Sequence, residues 1–361
     1  MEFNRKLILE NGTVMHGVGF GGSKEVICEL VFNTSVVGYQ ELVSDPTYAD
    51  LAVVMNYPLI GNYGITDEDF ESRDPLIGAL IVREYNDQPS NFRYTRTLGE
   101  YMEDHNIPGI SQVDTRKLTR ILRSEGVQKV MITDETTEEK EALARLKEAT
   151  LPTDSAKRAG CKKRWYSRTS NPMYQVVAID CGIKDSMMQK LKEKGCNVTV
   201  VPFDTTVDEI LALQPDGVFV SNGPGDPANV ANVAETISAL RGKKPIFGVG
   251  LGHQLLAMAY GAKIQKMKVG HRGGNHPVFC KETDTVEICN QNHGYVVDKE
   301  SLAGTNLTLT HINLLDQTCE GVECKEEMVF SLQYHPERIS YPGKTVDPFD
   351  KFMNLMAQKG E

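Results

Sequence analysis

The sequence has no apolar run approaching the ~18 residues of a membrane-spanning helix, and Met1–Lys6 leads into no signal-type apolar core. The expectation is a cytoplasmic chain that does not engage a membrane. It has no C-x-x-C pair either. Its eight cysteines (Cys28, Cys161, Cys181, Cys196, Cys280, Cys289, Cys319 and Cys324) are scattered, and the closest two are too irregularly placed for a zinc knuckle. They read as reduced cytosolic thiols, one of which could be catalytic. Positive charge is in deficit, 39 Lys and Arg against 49 Asp and Glu, and a net −10 argues against a nucleic-acid-coating protein. With 40% apolar and 24% charged residues, disorder, collagen and coiled coil are excluded for the whole chain. At roughly 150 residues per domain, two domains are expected, each large enough to bury a core without disulfides or metal.

The first 130 residues read as β-rich. Lys6–Glu10 and Val26–Phe32 are partly alternating apolar runs, separated by the glycine-rich Gly17–Gly22. Asp114–Ser124 predicts a helix with Leu118, Ile121 and Leu122 on one face. Glu135–Ala149 predicts a second, opened by Thr136 and Glu139 at capping-box spacing. From Ser155 to Pro172 the composition shifts to Lys157, Arg158, Lys162, Lys163, Arg164 and Arg168 with no acidic residue. This is read as a basic interdomain linker over residues 154–172, with a strip for an acidic partner as the sharper alternative. It separates an N-terminal α+β domain (1–153) from a C-terminal α/β domain (173–361).

After Pro172, strands and helices alternate. Strands are expected at Tyr174–Asp180, Asn197–Phe203, Asp216–Ser221 and Lys244–Val249, with helices at Lys184–Lys194, Val207–Leu213, Ala228–Leu240 and His253–Tyr260. That rhythm predicts a mostly parallel open sheet flanked by helices, its site at the C-terminal strand edge. From Ala262 the pattern becomes strand-rich until Met328–Gln333, and Asp347–Gln358 closes with a helix.

Three loops at that edge can carry chemistry. Ser221–Pro227 (SNGPGDP) can present backbone N–H groups to an anion or oxyanion, or be an ordinary strand-to-helix turn. Gly248–Gln254 (GVGLGHQ) has the strand, sharp turn and helix of a nucleophile elbow. A dinucleotide Gly-x-Gly-x-x-Gly reading fails there because its last position is His253. Gln333–Glu337 (QYHPE) puts His335 at a strand end with Glu337 two residues on, a base beside an orienting acid. His253, His271, His276 and His293 have no metal-site spacing and are read as hydrogen-bonding groups in polar loops; no metal site is expected.

In that order, SNGPGDP, the elbow with GHQLLA, and YHPE resemble the class I glutamine amidotransferase family. QNHGY (Gln291–Tyr295) and GGNHPV (Gly273–Val278) narrow the resemblance. So do the N-terminal Glu29–Glu41, DPTY (Asp45–Tyr48), YPLIGNYG (Tyr57–Gly64) and VDTRKLTR (Val113–Arg120). Together they are similar to the small-subunit family of carbamoyl-phosphate synthetases, nearly end to end. The resemblance implies an elbow cysteine that attacks the glutamine side-chain amide, forming a thioester and releasing ammonia. The ammonia passes to a large subunit, which uses bicarbonate, ATP and Mg to make carbamoyl phosphate for pyrimidine or arginine synthesis. This chain itself would carry no cofactor. The implied base is His335 and the orienting acid Glu337. The oxyanion donors are the N–H groups of Leu251 and Gly225. The glutamine-binding positions are Thr47, Gly223, Gly225, Leu251, Gln254, Asn292, Gly294 and Tyr295.

One position departs from the family. Where the cysteine is expected stands Gly250, which offers no atom to acylate. A folded, glutamine-binding but glutaminase-deficient subunit is therefore expected. The alternative is a scaffolding or regulatory subunit of an ammonia-using synthetase. Cys181, ending the first strand of the same sheet, is the one other thiol at the right edge. An amidotransferase of purine or anthranilate synthesis should lack the N-terminal block.

Overall fold

The computed structural model describes residues 3–339 and 346–359. The chain divides into two compact units, Met1–Pro152 and Thr153–Glu361.

In the first unit, seven strands close a barrel: β1 (Arg5–Leu9), β2 (Val14–Gly21), β3 (Val26–Asn33), β4 (Leu51–Met55), β5 (Ala79–Ile81), β6 (Pro108–Ser111) and β7 (Gln128–Asp134), in the order β1-β2-β6-β5-β4-β3-β7. Closure leaves no open edge, so each strand's backbone groups are paired on both sides. Side-chain alternation splits the core in two. Leu30, Ala52, Val54, Ala79 and Ile81 pack with Leu118 and Leu122 of α3 (Thr115–Glu125). Val31, Val53 and Leu80, of the opposite parity, pack with Tyr39, Leu42 and Val43 of α1 (Tyr39–Ser44). A further helix, α2, spans Leu98–Asp104. The glycine-rich Gly17–Gly21 does not separate strands but continues β2, paired with β6 from Val18↔Ser111 to Gly21↔Pro108. Helix α4 starts later than predicted, at Glu139–Glu148, because Thr137 N–H closes a turn onto Asp134 O. Glu138, not Thr136, caps it, accepting from Glu141 N–H.

The second unit is built on a ten-stranded sheet: β8 (Trp165–Ser167), β9 (Tyr174–Asp180), β10 (Cys196–Pro202), β11 (Gly217–Val220), β12 (Ile246–Val249), β13 (Ile264–Cys280), β14 (Thr285–Val297), β15 (Thr308–Asn313), β16 (Cys319–Cys324) and β17 (Val329–Leu332). The order is β8-β10-β9-β11-β12-β17-β16-β15-β13-β14. Its centre, β10 through β17, is parallel, as βαβ crossovers require, and the flanking strands are antiparallel. Helices α7 (Val207–Ala212), α8 (Ala231–Leu240) and α9 (Leu251–Ala259) bury Ile210, Val233, Ile237, Leu255 and Leu256 in the core on one face. On the other, α6 (Asp185–Glu193) and α10 (Pro348–Lys359) bury Met187, Leu191, Phe349 and Phe352.

The segment read as a linker, 154–172, belongs largely to this unit. It forms α5 (Ser155–Ala159), with Ser155 and Ala156 buried, and β8, antiparallel to β10 from Trp165↔Val200 to Ser167↔Val198. Its backbone is tied in, since Cys161 N–H donates to Asp180 Oδ2 at 2.8 Å, while its six Lys and Arg stay exposed. Charge composition reports on the side chains alone; backbone pairing with β10 could not be read from it.

Candidate active site at the carboxyl edge of the sheet

Strand β12 ends at Val249, and helix α9 begins at Leu251. Gly250 makes the turn between them with φ 59°, ψ −112°, a conformation that costs an L-residue roughly 1–3 kcal/mol. Its N–H donates to Leu332 O at 2.9 Å, and its carbonyl accepts from His253 N–H at 3.1 Å and Gln254 N–H at 3.3 Å. The elbow geometry is thus complete without its side chain. A Cβ built on Gly250 would meet Asn222 Cβ at 3.4 Å and Gln333 O at 4.0 Å, which is ordinary contact. Gly252 is different: a Cβ there would lie 2.2 Å from Val220 O. The helix therefore packs this closely on β11 only because position 252 carries no side chain.

The 221–227 loop follows β11 and is tied at its start to the turn after β9. Cys181 N–H donates to Ser221 Oγ at 2.9 Å, and Asn222 Nδ2 donates to Gly182 O at 2.8 Å. Gly225 adopts φ 87°, and Asp226 turns the chain into Pro227–Val230 by accepting from Ala228 N–H. The elbow and this loop leave adjacent parallel strands at their carboxyl ends, with the helix dipole of α9 behind Leu251.

His335 leaves β17, the strand on the other side of β12, and its N–H donates to Asn290 O at 3.0 Å. Glu337 lies in the short 3-10 turn Pro336–Arg338. The two side chains come together but do not touch: His335 Nδ1 is 3.9 Å from Glu337 Oε1, outside hydrogen-bond reach. The gap is bridged by a residue that sequence reasoning missed. Lys184, just before α6, places Nζ 2.9 Å from Glu337 Oε1 and 3.3 Å from His335 Nδ1. Ser186 Oγ donates to the same carboxylate at 3.3 Å. Burial alone would push the Glu337 carboxyl up, but the Lys184 ammonium and His335 pull it down to about 2. Lys184 carried no signal in the sequence because it lies some 150 residues from its partners.

Of the glutamine-binding positions implied by resemblance, Gln254 and Tyr295 are brought together: Gln254 Nε2 donates to Tyr295 O at 2.9 Å and to Gln333 Oε1 at 3.1 Å. Asn292, Gly294 and Tyr295 lie in a row on β14. Thr47 belongs to the first unit, where its hydroxyl donates to Asp45 Oδ1 at 2.6 Å. Cys181 is fully buried, and burial pushes its thiol up, away from the thiolate a nucleophile needs. Burial likewise raises Cys28, Cys161, Cys196 and Cys319 to about 12.

The four histidines expected in loops are placed otherwise. His253 lies inside α9, its Nδ1 2.9 Å from Ser331 Oγ, and burial lowers it to about 3. His271 and His276 lie on β13 and His293 on β14, where strand pairing brings the three rings together. His271, His293 and Glu320 approach within 4.8 Å of one another. The nitrogens of both histidines are engaged by Asp316, Gln291 and Tyr295, so the group is a hydrogen-bonded set.

Two family profiles cover most of the chain: "Glutamine amidotransferase class-I" over residues 177–355 and "Carbamoyl-phosphate synthase small chain, CPSase domain" over residues 7–132. The carbamoyl phosphate synthase small chain of Listeria innocua is 45% identical over 357 residues, 99% of this chain and 98% of that protein. That of Fusobacterium nucleatum is 47% identical over 351 residues, covering 97% of this chain and 98% of the relative. That of Staphylococcus epidermidis is 46% identical over 352 residues, 98% and 96% of the two chains. With a barrel unit and an amidotransferase unit matched in the same order and over nearly its full length, the chain belongs to the carbamoyl phosphate synthase small chain family.

Proposed function

We propose that this chain is a small subunit that binds glutamine at the elbow but does not hydrolyse it, and that it serves a large synthetase subunit as its partner. The observation that carries this reading is Gly250: the elbow, its Leu332 and Gln254 hydrogen bonds and the His335–Lys184–Glu337 group are all in place around a residue with no side chain. In the reading, the N–H groups of Leu251 and Gly225 face the glutamine amide oxygen. Gln254, Asn292, Gly294 and Tyr295 hold the amino-acid end, together with Gly223. His335 would shuttle the proton between a nucleophile and departing ammonia, and without a nucleophile it has nothing to deprotonate. Loss of a triad nucleophile costs on the order of 10⁶ in rate. Bicarbonate, ATP and Mg act on the large subunit, and ammonia from solution would be the nitrogen source.

The test compares carbamoyl phosphate formation from glutamine and from ammonia in the assembled complex, before and after Gly250→Cys. The unmodified complex should use ammonia and release no glutamate from glutamine. The cysteine form should release both glutamate and carbamoyl phosphate. Glutamate release by the unmodified chain overturns the reading. Failure of a folded Gly250→Cys form to use glutamine favours the scaffolding alternative.

A further inference from the structure

Behind the strand Asn292–Tyr295 lies a buried polar chain that the proposed chemistry does not use. It starts at the surface with Asp316, in the turn after β15, whose Oδ2 accepts from His271 Nε2 at 2.9 Å. Across the ring, His271 Nδ1 meets the Gln291 amide at 2.9 Å and Glu320 Oε1 of β16 at 3.4 Å. The same Gln291 Oε1 lies 2.8 Å from His293 Nε2, which in a neutral ring donating from Nδ1 carries no proton, so the two are in packing contact. His293 Nδ1 then donates to Tyr295 O at 2.8 Å, the carbonyl that also accepts from Gln254 Nε2. Asn313 Nδ2 donates to Glu320 Oε1 at 3.0 Å. A surface carboxylate is thus joined through His271 to Gln291 on the strand.

We propose that His271, held by Asp316 and Glu320, is a positioning residue for the glutamine-binding strand: through Gln291, on that strand and packed against His293, it fixes the backbone of Asn292–Tyr295 against Gln254. The proposal rests on reading that strand as part of the glutamine site. The physical reason is cooperative. A buried polar network holds one geometry when every member is satisfied and loosens when one is not. The groups facing His271 are Asp316, Glu320 of β16, Asn313 of β15, His293 of β14 and His276 of its own strand. Although burial opposes its charge, the two carboxylates raise His271 to about 9. In contrast, burial first, then the charge of His271, lowers His276 to about 4, and both lower His293 as well.

The experiment uses the full chain and the Asp316→Asn variant. This variant retains Oδ1 for its bonds to Thr318, so the turn should persist. Without the carboxylate, His271 should titrate nearer its ordinary ~6.5. Glutamine affinity is measured by calorimetry at about pH 6 and about pH 8, either side of that value. The parent should be flat, whereas Asp316→Asn should match it at the lower pH and bind roughly tenfold more weakly at the higher, one pKa unit of coupling. Equal affinities at both values, or an equal loss at both, overturn the proposal. Amide hydrogen exchange of the peptide Gln291–Tyr295, corrected for intrinsic rates, is followed in the unliganded proteins over the same range. It should rise with pH in the variant alone, and an unchanged pattern overturns the positioning role whether or not glutamine binds. If the parent shows no glutamine binding, the reading of the pocket fails and the exchange data still decide the role of His271.

Discussion

Lys184 and Glu337 form a buried ion pair, Nζ to Oε1 at 2.9 Å, with side chains 8% and 2% exposed. The pair stands where a simple triad would put a direct contact between His335 and its acid. Lys184 therefore stands against both side chains, Nζ 3.3 Å from His335 Nδ1 and 2.9 Å from Glu337 Oε1. Removing one partner of such a pair leaves a buried charge uncompensated, at a cost of about 3–5 kcal/mol. Lys184→Met should lower unfolding stability near neutral pH by about that amount. The deficit should shrink near pH 4, because a Glu337 freed of its cation can then protonate. Denaturant unfolding at the two pH values checks this, and a deficit independent of pH contradicts it.

The elbow offers a graded test of backbone strain. Gly250→Ala and Gly250→Cys should each cost roughly 1–3 kcal/mol, the range for a residue held in a sparsely populated backbone region, since the space for a Cβ exists. Gly252→Ala should cost more, because its Cβ would fall 2.2 Å from Val220 O and strand and helix would have to separate. Urea midpoints for the three variants give the order directly. A Gly252→Ala protein as stable as Gly250→Ala would refute it.

Acid sensitivity follows from buried neutral histidines. His253 is lowered to about 3, so its folded pKa lies below its unfolded value near 6.5. Its contribution is full above about pH 6.5 and is lost as the pH falls from there toward 3, at up to about 1.4 kcal/mol per pH unit. His253→Gln should flatten the stability profile in that window. Glu337, lowered to about 2, adds a second loss that begins only below its ordinary value of 4.5. Unfolding free energies measured from about pH 7 to about pH 4 should resolve the first loss.

Thiol accessibility tests whether any cysteine of the folded chain is placed to act as a nucleophile. Cys161 alone is partly exposed, and the other seven are buried. Under native conditions a neutral thiol reagent should modify at most Cys161, slowly, with all eight reacting after denaturation. Rapid modification of Cys181 in the folded chain would reopen it as a candidate.

The three loops were legible as motifs because each is a local requirement. Glycines 248 and 252 permit the close turn, the 221–227 loop is fixed by its glycines and prolines, and His335 follows a recognisable strand. Alternating strands and helices likewise gave β9 to β12 and α6 to α9 within a few residues, since periodicity and turn residues act over short distances. The 154–172 segment was misread as a linker because its charge is conspicuous and its backbone partner, β10, is not adjacent in sequence. The histidines were misplaced for a related reason. Polar composition suggested loops around residues 271–293, whereas the residues form two long antiparallel strands whose partly polar faces hold one another.

By itself the sequence determined the strand–helix alternation from Tyr174 to Tyr260, the family and the glycine at position 250, all of which depend on residue identity and local spacing. Only the tertiary structure decided that Lys184 lies between His335 and Glu337, that Cys181 is sealed away, and that His271 stands between two carboxylates behind the strand Asn292–Tyr295. Those relationships join residues 45 to 151 positions apart, and sheet register, not sequence proximity, sets which side chains meet and how strongly their charges are felt in the absence of water.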